Sequence, residues 1–323
     1  LLSLVHLPAA TKILPLDQIR SGMVGTGYTV FKGNQLDEFK VHILGILQNV
    51  IGPKRNLILA RLEGGPLSET GIISGMSGSP VYIEDQLIGA VSYSLGNFSK
   101  EPIAGITPIG EMLETTTFQA PLQKQNNPTV RFPLKPFNIN ESIREAFSSV
   151  QPFAKHFSDI RLLTLIDNSV SPTIGTMLRP ITTPLFLGGF SSASLQPLND
   201  ALANAGLSVT PTEAALLNQE LNSTLRPGDA IGVTLLEGDL AVGAAGTLTY
   251  IDGDKVYAFG HALYNLGPIN FPMTRVHVHT VLPSLNSSIK IMSSGETIGT
   301  VNQDRDTTIA GLLGPGPDLI PIT

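Results

Sequence analysis

Along residues 16–120 the apolar positions fall in short runs rather than at helical spacing. Gly27-Tyr-Thr-Val-Phe31, Phe39-Lys-Val-His-Ile-Leu44 and Leu57-Ile-Leu-Ala60 are rich in β-branched and aromatic residues and are separated by Gly, Asn and Pro. That pattern predicts strands, because branched side chains suit a pleated surface and the punctuating residues suit turns. Val81-Tyr-Ile83, a Glu84-Asp85-Gln86 turn and Leu87 to Tyr93 predict a hairpin. Thr107-Pro108 ahead of Ile109 to Leu113 predicts a helix start, with a hydroxyl cap and Pro at the first helical position.

The period then changes. Residues 121–136 carry four Pro and two Asn, a linker composition. Glu141 to Val150, Leu195 to Ala205 and Thr212 to Leu221 space their apolar residues as helices do, with Asn140 and Thr212 as caps and Gly206 as a stop. Phe137, Phe147, Phe153 and Phe157 are expected in the core of this unit. From Arg226-Pro-Gly-Asp229 the strand pattern returns. Gly246 to Tyr250 and Lys255 to Phe259 flank Ile251-Asp-Gly-Asp254, a strong hairpin signal, and Val276 to Leu282 and Ser288 to Met292 continue it. The expected organisation is a truncated leader over 1–15, a β half over 16–120, a linker and inserted α/β unit over 121–225, and a second β half over 226–323.

Composition narrows the function. Only 14% of residues are charged against about 25% in an average chain. Gly 32 and Pro 24 favour many strands and tight turns. A net charge of −6 with no basic cluster speaks against nucleic acid, whose affinity rests on phosphate neutralisation. Cys 0 removes disulfides, thiolate chemistry and Cys-based metal sites. No apolar run reaches the roughly 18 residues of a membrane-spanning helix. Leu1 to Ala10 is apolar and ends in small residues, like the end of a secretory leader, so an extracytoplasmic location is expected.

The densest chemical signal is Gly75-Met76-Ser77-Gly78-Ser79-Pro80. A Ser between glycines on a turn has the backbone freedom to present its hydroxyl as a nucleophile. The N–H groups of Gly75 and Ser77 could converge on one developing oxyanion. Such a Ser needs a base, and His261 stands just after a strand, beside Gly260, in Tyr257-Ala-Phe-Gly-His-Ala262. His277 and His279 alternate on one strand face, but no third ligand is near, so a metal is not expected. No phosphate-binding loop, dinucleotide fingerprint or other cofactor motif occurs.

Thr70-Gly-Ile-Ile-Ser-Gly-Met-Ser-Gly-Ser-Pro80 resembles the signature of the SpoIVB peptidase family of chymotrypsin-like serine endopeptidases. The hairpin that follows, with Leu87-Ile-Gly-Ala-Val-Ser-Tyr93, resembles the strand that lines their substrate cleft. The resemblance covers residues 16–110 and, less closely, 226–312. It implies a mainly β fold of two chymotrypsin-like barrel halves, here with an α/β insert. It further implies Ser77 as nucleophile, His261 as general base, Gly75 and Ser77 as oxyanion hole, and no cofactor. A protein or peptide substrate would pair with the strand Ala90 to Ser94.

Two features depart from the family. Ser77 precedes His261, the reverse of the family's order, as a circular permutation would give, and this requires the two β halves to pack face to face. The family's Asp position falls on Leu62. Glu63 is the neighbouring candidate, although adjacent strand residues point to opposite faces. Asp304 and Asp306 are the alternatives, and a dyad without an acid is another. Two readings from other classes stand beside the peptidase: a non-catalytic peptide-binding or scaffolding module, and a β-rich carbohydrate or adhesion domain.

Overall fold

The computed structural model describes residues 11–95, 101–114, 177–191, 207–212, 224–285 and 287–321. It is built mostly of strands, closed into two six-stranded antiparallel barrels. The first contains β1 (Val24–Val30), β2 (Leu36–Gly52), β3 (Arg55–Glu63), β4 (Pro80–Ile83), β5 (Gln86–Leu95) and β6 (Ile103–Pro108). The order β4-β1-β2-β3-β6-β5 closes through the β4–β5 hairpin. Glu84 and Asp85 both take positive φ, 49° and 60°, the tight turn that matches strand twist. α1 (Leu67–Thr70) lies between β3 and the nucleophile turn, and α2 (Ile109–Glu114) follows β6 where a helix start is predicted.

β7 (Leu178–Pro180), β8 (Thr183–Gly188) and β9 (Leu207–Thr212) come from the middle of the chain. The second barrel contains β10 (Ala230–Leu236), β11 (Ala241–Asp252), β12 (Lys255–Ala258), β13 (Gly267–Leu282), β14 (Ile289–Arg305) and β15 (Thr308–Leu313). Its order β10-β13-β14-β15-β12-β11 closes through β10–β11. The predicted Asp-Gly turn is present, with Asp252 opposite Lys255 and Gly253 at φ 63°. β13 and β14 are far longer than the runs that predict them, and four register shifts bend the pair around the barrel.

Each barrel interior is a separate apolar cluster, with Phe39, Val41, Ile58, Leu62 and Met76 in the first. Ile231, Val233, Leu248, Phe259 and Val301 are in the second. A third cluster joins Leu87, Ala90 and Met112 to Tyr257 and Ala310 across the seam between the barrels. The face-to-face packing that the chain order requires is therefore present.

Of the middle unit, the helices predicted over 141–150 and 195–205, their caps, and the four Phe residues lie outside the described residues. So does the body of the third predicted helix; its proposed cap, Thr212, ends β9. β8 and β9 are parallel neighbours on the edge of the second sheet. Residues 1–10 also lie outside the description, while Lys12 and Leu14, within the expected leader, bond to Leu87 at 2.8 and 3.1 Å. No helix among the described residues is long and apolar enough to cross a membrane.

Candidate active site

Gly75 and Gly78, both at φ 97°, bracket Met76 and Ser77. At Gly78 the requirement for glycine is steric: a Cβ would lie 1.9 Å from the Thr247 carbonyl oxygen and 2.5 Å from the Phe259 nitrogen. Met76 is fully buried in the first barrel's core and pins the turn from beneath. The Ser79 hydroxyl donates to the Met76 carbonyl at 2.6 Å.

The second barrel fastens this turn from the other side. The Thr247 N–H donates to the Ser77 carbonyl at 2.8 Å. The Thr247 and Thr249 hydroxyls donate to the carbonyls of Gly75 and Gly78 at 3.0 and 2.7 Å. The Lys290 N–H donates to the Ser74 carbonyl at 3.1 Å. None of these partners was picked out as functional from the sequence. The signal was available in Gly-Thr-Leu-Thr, whose alternation turns both hydroxyls to one face.

The His261 turn arrives at the same seam. Phe259 and Gly260 take φ of 68° and 71°, and a buried Phe in the left-handed region is held there only by its surroundings. The Thr107 hydroxyl donates to the Gly260 carbonyl at 2.7 Å. A Cβ at Gly260 would lie 3.0 Å from Ala90 and 2.9 Å from Ser92. The Gly78 N–H donates to the Val91 carbonyl at 2.8 Å, so both turns lean on the same three residues of β5.

Ser77 is 0% and His261 3% exposed. Ser77 Oγ and His261 Nε2 are both buried without a hydrogen-bond partner, so the Oγ–Nε2 hydrogen bond is not made in this structure. Leaving such atoms unpaired costs about 1–3 kcal/mol each; Thr234, His277 and Asn302 carry the other such atoms among the described residues. The His261 Nδ1–H donates to the Ala262 carbonyl at 2.7 Å. A carbonyl can only accept, so this contact puts the proton on Nδ1 and leaves the Nε2 lone pair free. Burial pushes the His261 pKa down to about 4, against the opposing pull of the Ala262 bond, so the ring is neutral at pH 7.

Around the turn, the N–H groups of Met76, Gly78 and Ser79 bond to Ile73, Val91 and Met76 carbonyls. Those of Gly75 and Ser77 have no acceptor among the described residues.

Glu63 is not brought to His261. Leu62 points into the barrel and Glu63 outward, as strand alternation requires, and Glu63 Oε2 accepts from His42 Nε2 at 2.8 Å on the outer face. That bond, with Lys40 nearby, lowers the Glu63 pKa. The third-member assignment is therefore corrected.

Asp304 is fully buried, yet it serves the loop rather than the imidazole. Its carboxylate accepts from the N–H groups of Leu263, Tyr264 and Leu266 at 2.7, 2.7 and 3.2 Å. Asp306 sits exposed in the β14–β15 turn.

The His277 and His279 rings share a face, 4.9 Å between centroids, and His279 Nε2 bonds to Ser293 Oγ. Among the described residues no group of three or more His, Cys, Asp and Glu could hold a metal ion.

Comparison with known families bears on the nucleophile half directly. Residues 6–112 match the model of the SpoIVB peptidase S55 family. The matched segment contains Ser77, Gly75 and the β5 strand, and the match supports a peptidase. His261 lies beyond it. No curated protein and no solved structure matches the chain.

Proposed function

We propose that this chain is a serine endopeptidase of SpoIVB type whose working pair is Ser77 and His261. The observation that carries the reading is the pair of buried, partnerless atoms, Ser77 Oγ and His261 Nε2, on two turns that meet at the barrel seam. His261 Nε2 takes the hydroxyl proton as Ser77 Oγ attacks the peptide carbonyl. The imidazolium then returns that proton to the leaving amine. The free N–H groups of Gly75 and Ser77 receive the oxyanion. Water repeats the sequence on the acyl-enzyme, with His261 again as base.

The carbonyl of Ala262 holds the tautomer that an orienting acid holds in a triad. A neutral carbonyl stabilises imidazolium less than a carboxylate does, so the chemistry is expected to be slower than that of a full triad.

One observation favours a second reading, a peptide-binding module without catalysis: no carboxylate contacts the His261 ring among the described residues. The two readings part on Ser77→Ala. The peptidase loses hydrolysis of an unfolded protein substrate and loses labelling by a fluorophosphonate probe. A protein that binds unfolded polypeptide yet shows neither reaction once Ser77 is open to the probe is the binding module.

A further inference from the structure

Ser77 is fully buried, whereas a nucleophile must meet its substrate, so some part of its surroundings has to move before a peptide can reach it. The strand expected to pair with substrate, Ala90 to Ser94, is already paired. β7 runs antiparallel to it with Leu178, Arg179 and Pro180 opposite Leu95, Ser94 and Tyr93. The next residue, Ile181, continues the ladder, its N–H donating to the Ser92 carbonyl at 2.9 Å. The Ile181 side chain is 3% exposed and packed into the first barrel's apolar cluster.

The chain then leaves the first barrel. Residues 183–188 form β8, on the edge of β11 in the second barrel. At this crossing the Pro184 ring lies 3.3 Å from where a Gly75 Cβ would stand. Residues 178–184 therefore span the seam beside the nucleophile turn, extended, with main-chain bonds on one side and a buried aliphatic side chain on the other. An extended peptide recognised by strand addition has those features. Pro180, which has no N–H to donate, is tolerated because β7 is an edge strand.

We infer that residues Leu178 to Pro184 are a built-in substrate mimic that occupies the peptide groove and keeps Ser77 closed until β7 leaves the edge of β5. The inference rests on the peptidase reading. It also names the preferred substrate: an extended polypeptide with an aliphatic residue where Ile181 sits. While the closed form dominates, apparent affinity for substrate falls by the fraction of molecules that are open.

The test reads the rate of fluorophosphonate labelling at Ser77 by intact mass, with Ser77→Ala as blank. Ile181→Asp puts a charge into the apolar seat, and labelling is expected to rise roughly tenfold or more. A peptide of residues 177–184 added to that variant slows labelling again, and the same peptide with Asp at the Ile181 position does not. A second variant keeps the test sound if Ile181→Asp does not fold. Ser94 and Arg179 oppose each other in register, within disulfide span, and the chain has Cys 0, so Ser94→Cys/Arg179→Cys forms a single removable lock.

Oxidised, that pair is expected to label roughly tenfold more slowly than reduced. Equal rates for the two forms overturn the mimic and leave the peptidase standing. No labelling in the wild type, in Ile181→Asp or in the reduced pair overturns both.

Discussion

At the scale of the residue, the site depends on one ring nitrogen keeping its lone pair. His261 is neutral because burial makes its charged form expensive, and its pKa lies near 4. The acid limb of Ser77 labelling in the wild type is therefore expected well below the ordinary His value of about 6.5. If opening of the groove hydrates the ring, as the mimic requires, that limb is expected to move up toward about 6.5 in Ile181→Asp. A wild-type limb at 6.5 contradicts the closed, desolvated ring.

The His261 pKa also bears on stability. The unfolded chain takes up this proton near 6.5 and the folded one near 4, so stability is lost as pH falls through that interval. Ser77 was legible from its glycines and His261 from its place after a strand. The Ala262 carbonyl was not, because every residue carries one and only the fold decides which of them faces a ring.

At the scale of the element, the loop between β12 and β13 has no regular structure, and its second half, Leu263 to Leu266, hangs on the buried carboxylate of Asp304. Burial raises the Asp304 pKa while the loop N–H groups pull it down. Asp304→Ala removes an acceptor from three backbone N–H groups at once and is expected to cost about 2–4 kcal/mol in thermal or urea unfolding. The residues that Asp304 anchors begin two positions after His261 in the same loop, so labelling at Ser77 is expected to slow as well, with partial recovery in Asp304→Asn. Unchanged unfolding in Asp304→Ala contradicts the anchoring role.

Sequence alone marked Asp304 as a candidate acid but not as an anchor, since its partners lie about forty positions away and nothing local signals the contact. Hairpins were the most legible elements. Asp85 and Gly253 declare their turns, since Asp and Gly tolerate the positive φ found at both. The length of β13 and β14 was hidden because bulges break their alternation, so each reads as a shorter run. The occupation of β5 by β7 was hidden for another reason: Leu178-Arg-Pro180 is too short to declare a strand, and only the edge it meets makes it one.

At the scale of the molecule, the contacts that join the two barrels include several to residues 70–78, and Lys290 takes part in them. It is fully buried, its Nζ donates to Thr29 Oγ1 at 2.7 Å across the seam, and its stem lies 3.3 Å from where a Gly75 Cβ would stand. Burial pushes its pKa down to about 7, with Asp37 opposing. The unfolded chain keeps this proton to about 10.4. Between roughly 7 and 10 the unfolded state therefore binds more protons, and stability from this group rises with pH, by at most about 1.4 kcal/mol per unit. Lys290→Met is expected to flatten that rise in urea unfolding between pH 6.5 and 9.5; an unchanged slope contradicts the assignment. The reversed order of Ser and His was legible as a demand that the two halves pack together, and the seam meets it.

The claim at the centre is that a hydroxyl from one barrel and an imidazole from the other act as a unit. It is tested most directly by mapping the phosphonate adduct in Ile181→Asp and repeating the rate measurement with His261→Ala added. The account predicts an adduct on Ser77 and a loss of roughly a thousandfold or more without the imidazole. An adduct on another residue, or a rate indifferent to His261, contradicts it.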